Sequence, residues 1–217
     1  MDIIYSDVWT DAAAAGRAAD ASITYSYNNL STAKPVNNAS CLSPTGWDGL
    51  CRIVINYEAD IHPLWALART AADNVTDATC TSCHNGANQA NAGFLDLSNN
   101  AVSQNADWFG AYSQLLQAHD EIDAAGNPVT VPGPPDANGN PTTVNVQTTP
   151  SIRAGLPSQS AFFAKFTVAA NGTCPGPTQP HCTNGQAWLS PDELKLLSEW
   201  VDIGAQYYND PFAAPKN

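Results

Sequence analysis

Cys80-Thr81-Ser82-Cys83-His84 is the stretch on which the reading of this chain turns. It is a C-x-x-C-H sequence, the attachment signature of a c-type haem. Two thiols three positions apart can reach the two vinyl groups of one porphyrin and become thioethers. The adjacent imidazole, His84, then falls beneath the iron as its proximal ligand. The C-x-x-C spacing also serves thiol–disulfide oxidoreductases and zinc sites. No strand–helix–strand pattern surrounds it here, and no second C-x-x-C or histidine pair exists to complete a zinc site. One covalent haem c is therefore the expected cofactor.

The chain has six cysteines, and the other four fall into two local pairs. Cys41 and Cys51 bracket a turn-rich loop, and Cys174 and Cys182 bracket Pro175-Gly176-Pro177-Thr178-Gln179-Pro180-His181. Two short-loop disulfides plus two thioethers account for every cysteine. Each such crosslink is expected to contribute about 2–3 kcal/mol by chain-entropy reasoning. Disulfides persist outside the cytoplasm, where haem is also joined to C-x-x-C-H, so a periplasmic or extracellular location is expected. The sequence opens Met1-Asp2-Ile3-Ile4-Tyr5 with no basic or apolar leader, which reads as a processed form or a module of a longer protein with other domains.

Charge narrows the partners. Across 217 residues, 8 Lys and Arg face 20 Asp and Glu, a net charge of −12. That balance argues against nucleic acid or an anionic membrane surface, and it suits steering toward a basic redox partner. No apolar run approaches the ~18 residues that span a bilayer. No nucleophile-elbow, zinc-protease or phosphate-loop pattern is present. A six-coordinate haem cannot readily bind substrate, so the chain reads as an electron carrier and not an enzyme.

The apolar periodicity predicts a mainly α fold, with helices near 5–20, 58–72, 106–118, 158–167 and 190–204. Ser190-Pro191-Asp192-Glu193 is a capping box with proline at the first helical position, and Gly204 is the stop. Residues 124–148, rich in Pro, Gly, Asn and Asp, predict a long loop or small hairpin. Residues 1–52 are expected to form an N-terminal extension packed on a haem domain spanning 53–217.

Ile55-Asn56-Tyr57-Glu58-Ala59-Asp60-Ile61-His62-Pro63-Leu64-Trp65, then Cys80 to His84, then Gly93-Phe94-Leu95-Asp96-Leu97, then Leu189 through Phe212, together resemble bacterial monohaem cytochrome c domains. These include the modules of hydrazine-synthase-like proteins and of multidomain redox proteins of polysaccharide-degrading bacteria. The resemblance covers about 53–212. It implies a cytochrome c-like helical domain around one covalent haem, with long disulfide-tied loops. It also implies a role in electron supply, with lytic polysaccharide monooxygenases as one acceptor class.

The sixth ligand is the open position. A distal methionine is common in small c-type cytochromes, but the sole methionine here is Met1. His181 lies in the disulfide-bounded loop ahead of the last helix, where the distal ligand of a cytochrome c arises, and is the first candidate. His119 and His62 are the alternatives. Trp65, Leu95 and Trp200 are expected against the porphyrin, where apolar side chains exclude water and tune the potential. Arg69 or Arg153 is expected to pair with a propionate. A gas- or peroxide-binding haem protein, with an open or displaceable sixth site, is the competing function. A targeting module using Tyr25, Tyr27 and Trp47 against polysaccharide is a third.

Overall fold

Proline and glycine, 16 and 14 of them, interrupt the chain so often that few segments can propagate a helix. The computed structural model describes residues 2–19, 21–43, 45–46, 48–101, 103, 105–169, 172–174 and 181–209; Trp47 lies outside the described residues. In chain order the elements are β1 (Asp2–Tyr5), α1 (Ala12–Ala15), β2 (Ile23–Ser26), α2 (Pro63–Ala66) and α3 (Cys80–Cys83). There follow α4 (Gly110–Leu116), β3 (Thr130–Gly133), β4 (Thr142–Asn145), α5 (Ala161–Ala164), β5 (Cys182–Thr183), β6 (Gln186–Ala187) and α6 (Pro191–Asp202). The strands form three separate antiparallel pairs, β1 with β2, β3 with β4 and β5 with β6.

The mainly α expectation is overturned. Helix makes up 28% and strand 13%, and the arrangement does not give a clear cytochrome c fold. The reason is local. The predicted helix at 5–20 shrinks to α1, capped by Asp11 and stopped by left-handed Gly16, with no buried residue to extend it. The predicted helix at 58–72 becomes a π-helical turn, Tyr57–Ile61, followed by α2. It ends at Leu67 because the Arg69 guanidinium donates to the Leu64 and Leu67 carbonyls (2.8 and 3.1 Å), taking the acceptors a further helical turn would use.

Among the described residues only α6 spans three turns, and the capping box is the reason. The Ser190 hydroxyl accepts from the Glu193 N–H at 3.2 Å, and the Glu193 carboxylate accepts from the Ser190 N–H at 2.8 Å. One face of α6 buries Leu196, Leu197, Trp200 and Val201 in a core shared with Tyr57, Leu64, Trp65 and Leu115. Residues N-terminal to 53 join the same core through Tyr27 and Leu30. The Ser26 N–H and Asn29 side chain donate to Asp192 (2.6 and 3.2 Å), and the Tyr27 hydroxyl donates to Glu199.

Both expected disulfides are formed, Cys41–Cys51 and Cys174–Cys182, with Cα separations of 5.7 and 5.5 Å. Among the described residues no helix is long and apolar enough to cross a membrane.

Candidate functional site

The motif occupies a single helical turn. Thr79 is extended, α3 carries Cys80 to Cys83, and the His84 N–H closes the turn on the Cys80 carbonyl at 2.8 Å. Cys80 and Cys83 are not bonded to each other and carry free thiols, Cys80 half-buried and Cys83 exposed. Burial pushes the Cys80 thiol up to about 11, with the Arg69 charge pulling it back. A thiol held that far above neutrality is a poor thiolate, which weighs against a disulfide-exchange role.

α3 forms one wall of a cavity of about 600 Å³, within the size range of small-molecule and cofactor pockets. Trp65, Leu95, Leu97, Phe162 and Phe166 give it an apolar lining, and His84 and His181 face each other across it. Their Nε2 atoms stand 3.4 Å apart, and the rings are near parallel, 15° between planes with centroids 5.7 Å apart. A bond from a first-row metal to imidazole nitrogen is about 2 Å, so two imidazoles on opposite sides of one metal lie about 4 Å apart. A small side-chain adjustment covers the difference.

Each ring is fixed by different means. His84 Nδ1 lies 3.3 Å from the Leu95 carbonyl, which selects the tautomer with a bare Nε2 lone pair. The reversal that presents this carbonyl is made by Gly93 and Phe94, both left-handed (φ +66° and +61°). The Leu97 N–H returns to the His84 carbonyl at 3.0 Å. His181 is held through its neighbours. Cys182 ties it to Cys174, and the Trp188 N–H donates to its carbonyl at 3.0 Å across the β5–β6 hairpin. Its ring lies against Phe166 and Trp188, with centroids 5.1 and 5.7 Å away. Among the described residues nothing bonds its buried Nδ1.

Burial lowers the His84 pKa, despite the Leu95 and Ala92 carbonyls and the Asp96 charge acting to raise it. Burial, then the His84 and Lys165 charges, lowers His181 to about 4. Both rings are therefore neutral at neutral pH, with lone pairs available to a metal. Among the described residues no group of three or more His, Cys, Asp or Glu side chains gathers to hold an ion. Two facing imidazoles suit a metal whose remaining positions are filled by a macrocycle, and two thiols beside one of them suit its covalent attachment. The residues present fit a haem c.

The sequence-predicted residues divide. Cys80, Cys83, His84, His181, Trp65 and Leu95 come together on the cavity. Trp200 does not line it. Its indole donates to the Gln206 carbonyl at 2.9 Å and packs on Tyr57, 5.4 Å between centroids, on the core side of α6. His62 is stacked on Phe109 at 4.2 Å, with Nε2 on Asn99 at 2.7 Å. His119 Nε2 bonds the Phe94 carbonyl at 2.6 Å. Neither alternative ligand reaches the cavity. Arg69 is engaged by Glu193 at 2.6 Å, and the exposed Arg153 by Gln159 at 3.4 Å, so neither lines the pocket.

Phe162, Phe166, Trp188 and Lys165 were not among the expected site residues, yet all four line the cavity. The signal for Trp188 was Asn184-Gly185, the dipeptide of a tight hairpin turn, which places Trp188 back beside His181. Among the described residues lining the cavity Lys165 is the one Lys or Arg.

Comparison of the chain with protein-family models, with curated proteins and with solved structures gave no match.

Proposed function

We propose that this protein carries one covalent haem c, joined through Cys80 and Cys83 and ligated by His84 and His181, and that it transfers single electrons outside the cytoplasm. The observation that carries the reading is the pair of imidazoles whose Nε2 atoms stand 3.4 Å apart on the wall of an apolar cavity that two unbridged thiols also line. When bound, haem c supplies one-electron exchange at iron. The chain's own residues do the rest. His84 and His181 would both hold the iron of a bound haem, which would leave no place for substrate and favour shuttling over catalysis. Trp65, Phe162 and Phe166 keep water from the ring, and the Leu95 carbonyl orients His84. Two disulfides support the location proposed.

The partner proposed is another redox protein, a monooxygenase acting on polysaccharide being one such acceptor. Among the described residues lining the cavity there is no Asp or Glu, and Lys165 is the one Lys or Arg. The charge of −12 therefore acts as a long-range steering field carried by the rest of the chain. One observation favours a second reading. Metal-bound histidines almost always carry a partner on the other ring nitrogen, and the His181 Nδ1 has none among the described residues. A weakly anchored His181 would give way to a small gas or peroxide.

The test is the intact mass of protein secreted from a host that attaches haem c. The reading expects the mass of one haem retained after denaturation, lost in Cys80→Ser/Cys83→Ser. Protein that emerges without covalent haem refutes it.

A further inference from the structure

His119 is no ligand, yet its ring is joined to the loop that presents the ligand. We infer that His119 is a positioning residue for His84, acting through the Phe94–Leu95 backbone; the inference rests on the haem reading above.

Phe94 is the strained point of that loop. A non-glycine residue at φ +61° is uncommon and costs of order 1–3 kcal/mol, and it persists only where its surroundings over-determine it. Here they do. The Phe94 carbonyl accepts two hydrogen bonds, from Gln89 Nε2 at 2.9 Å and from His119 Nε2 at 2.6 Å. Its N–H donates to the Gln89 carbonyl at 2.9 Å. Gln89 is itself fixed, because its second amide proton goes to Gln114 Oε1 at 3.3 Å on α4. One grip on Phe94 is therefore Gln89, braced against α4, and the other is His119, just after α4.

His119 is oriented as firmly as a ligand would be. Nε2–H donates to the Phe94 carbonyl at 2.6 Å, and Nδ1 lies 3.1 Å from the Thr148 hydroxyl and 3.3 Å from the Gln117 carbonyl. The Thr148 N–H returns to the His119 carbonyl at 2.8 Å, so two strand-like segments converge on this residue. The next carbonyl after the gripped one is that of Leu95, the acceptor for His84 Nδ1. Locking residue 94 in its left-handed state keeps the Leu95 carbonyl aimed at His84. A firm Nδ1–H bond raises the basicity of Nε2, which stabilises ferric over ferrous iron.

The experiment is a redox titration of the haem-loaded protein, His119→Ala and His119→Gln against wild type, with electron paramagnetic resonance of each. Removing the donor should weaken the His84 bond and raise the potential. The expected change is about tenfold in the ferric/ferrous equilibrium, about 59 mV for one electron. The ferric haem should stay low-spin, because both axial ligands remain. Glutamine, which offers an amide donor in the same place, should return the potential to within about twofold of wild type in that equilibrium.

Packing damage that admitted water would move the potential down instead, so the sign separates positioning from disruption. Should His119→Ala fail to fold, His119→Asn, too short to reach Phe94, makes the same comparison with His119→Gln. An alanine or asparagine variant with wild-type potential overturns the inference and leaves the haem reading standing. Wild-type protein without covalent haem overturns both.

Discussion

Glu193→Ala is expected to destabilise the protein by about 4–6 kcal/mol. The Glu193 carboxylate holds two donors at once. Oε1 receives Arg69 Nη2 at 2.6 Å, with the two side chains 8% and 9% exposed. Oε2 receives the Ser190 N–H at 2.8 Å. Removing the carboxylate strands a buried guanidinium, which costs about 3–5 kcal/mol, and removes half of a capping box, worth about 1 kcal/mol. Against a total stability of about 5–15 kcal/mol this is a large fraction. Arg69 also closes α2 and lies 4.0 Å from Cys80 Sγ, so the pair fixes the approach to the motif as well as the start of α6. Urea unfolding followed by circular dichroism measures the effect. Arg69→Met/Glu193→Leu removes both charges and should cost at least about 1 kcal/mol less than the sum of its two single variants. A Glu193→Ala cost below about 1 kcal/mol, or strict additivity in the cycle, refutes the reasoning.

Asp60 should give stability an acid-side slope. Burial raises its pKa from 3.8 to about 6, against the Asn56 N–H bond that lowers it. The unfolded chain releases this proton first, so the Asp60 contribution to stability is greatest below about pH 4, falls as pH rises through about 6 and is flat above, by up to about 3 kcal/mol. Asp60→Asn keeps an acceptor for Asn56 and should abolish that slope in unfolding curves taken from pH 4 to 7; an unchanged slope places its source elsewhere. In protein made without haem attachment, iodoacetamide should label exposed Cys83 well before Cys80, whose thiol is buried; equal rates by mass spectrometry would contradict the burial of Cys80. Trp200→Phe should lower stability and leave the haem absorbance unmoved, since Trp200 packs on Tyr57 away from the cavity; a shifted Soret band would place it at the site.

The parts of the structure legible in the sequence were those with a local cause. Ser190, Pro191 and Glu193 specify the start of α6 through bonds within one turn. Cys174 and Cys182 pair across a short loop, and His181 is carried into place beside them. The fold class was not legible, because the helical periodicity of residues 58–72 and 5–20 is overridden by tertiary and capping contacts. Arg69 closes one early, and the other buries nothing. Trp200 was expected against the porphyrin, but periodicity cannot say against what a helix face packs, and Trp200 faces Tyr57 and not the cavity. Lys165 carried no sequence signal, since a lone lysine near a run of phenylalanines looks like any surface charge.

The measurement that tests the central claim most directly is the visible and near-infrared spectrum of the haem-matured protein, wild type and His181→Ala, with and without carbon monoxide. The account predicts a low-spin bis-nitrogen spectrum in wild type that ignores carbon monoxide. It predicts a high-spin, carbon-monoxide-binding haem once His181 is removed. A wild-type haem that binds carbon monoxide readily, or a His181→Ala spectrum that stays low-spin with two nitrogen ligands, would contradict it.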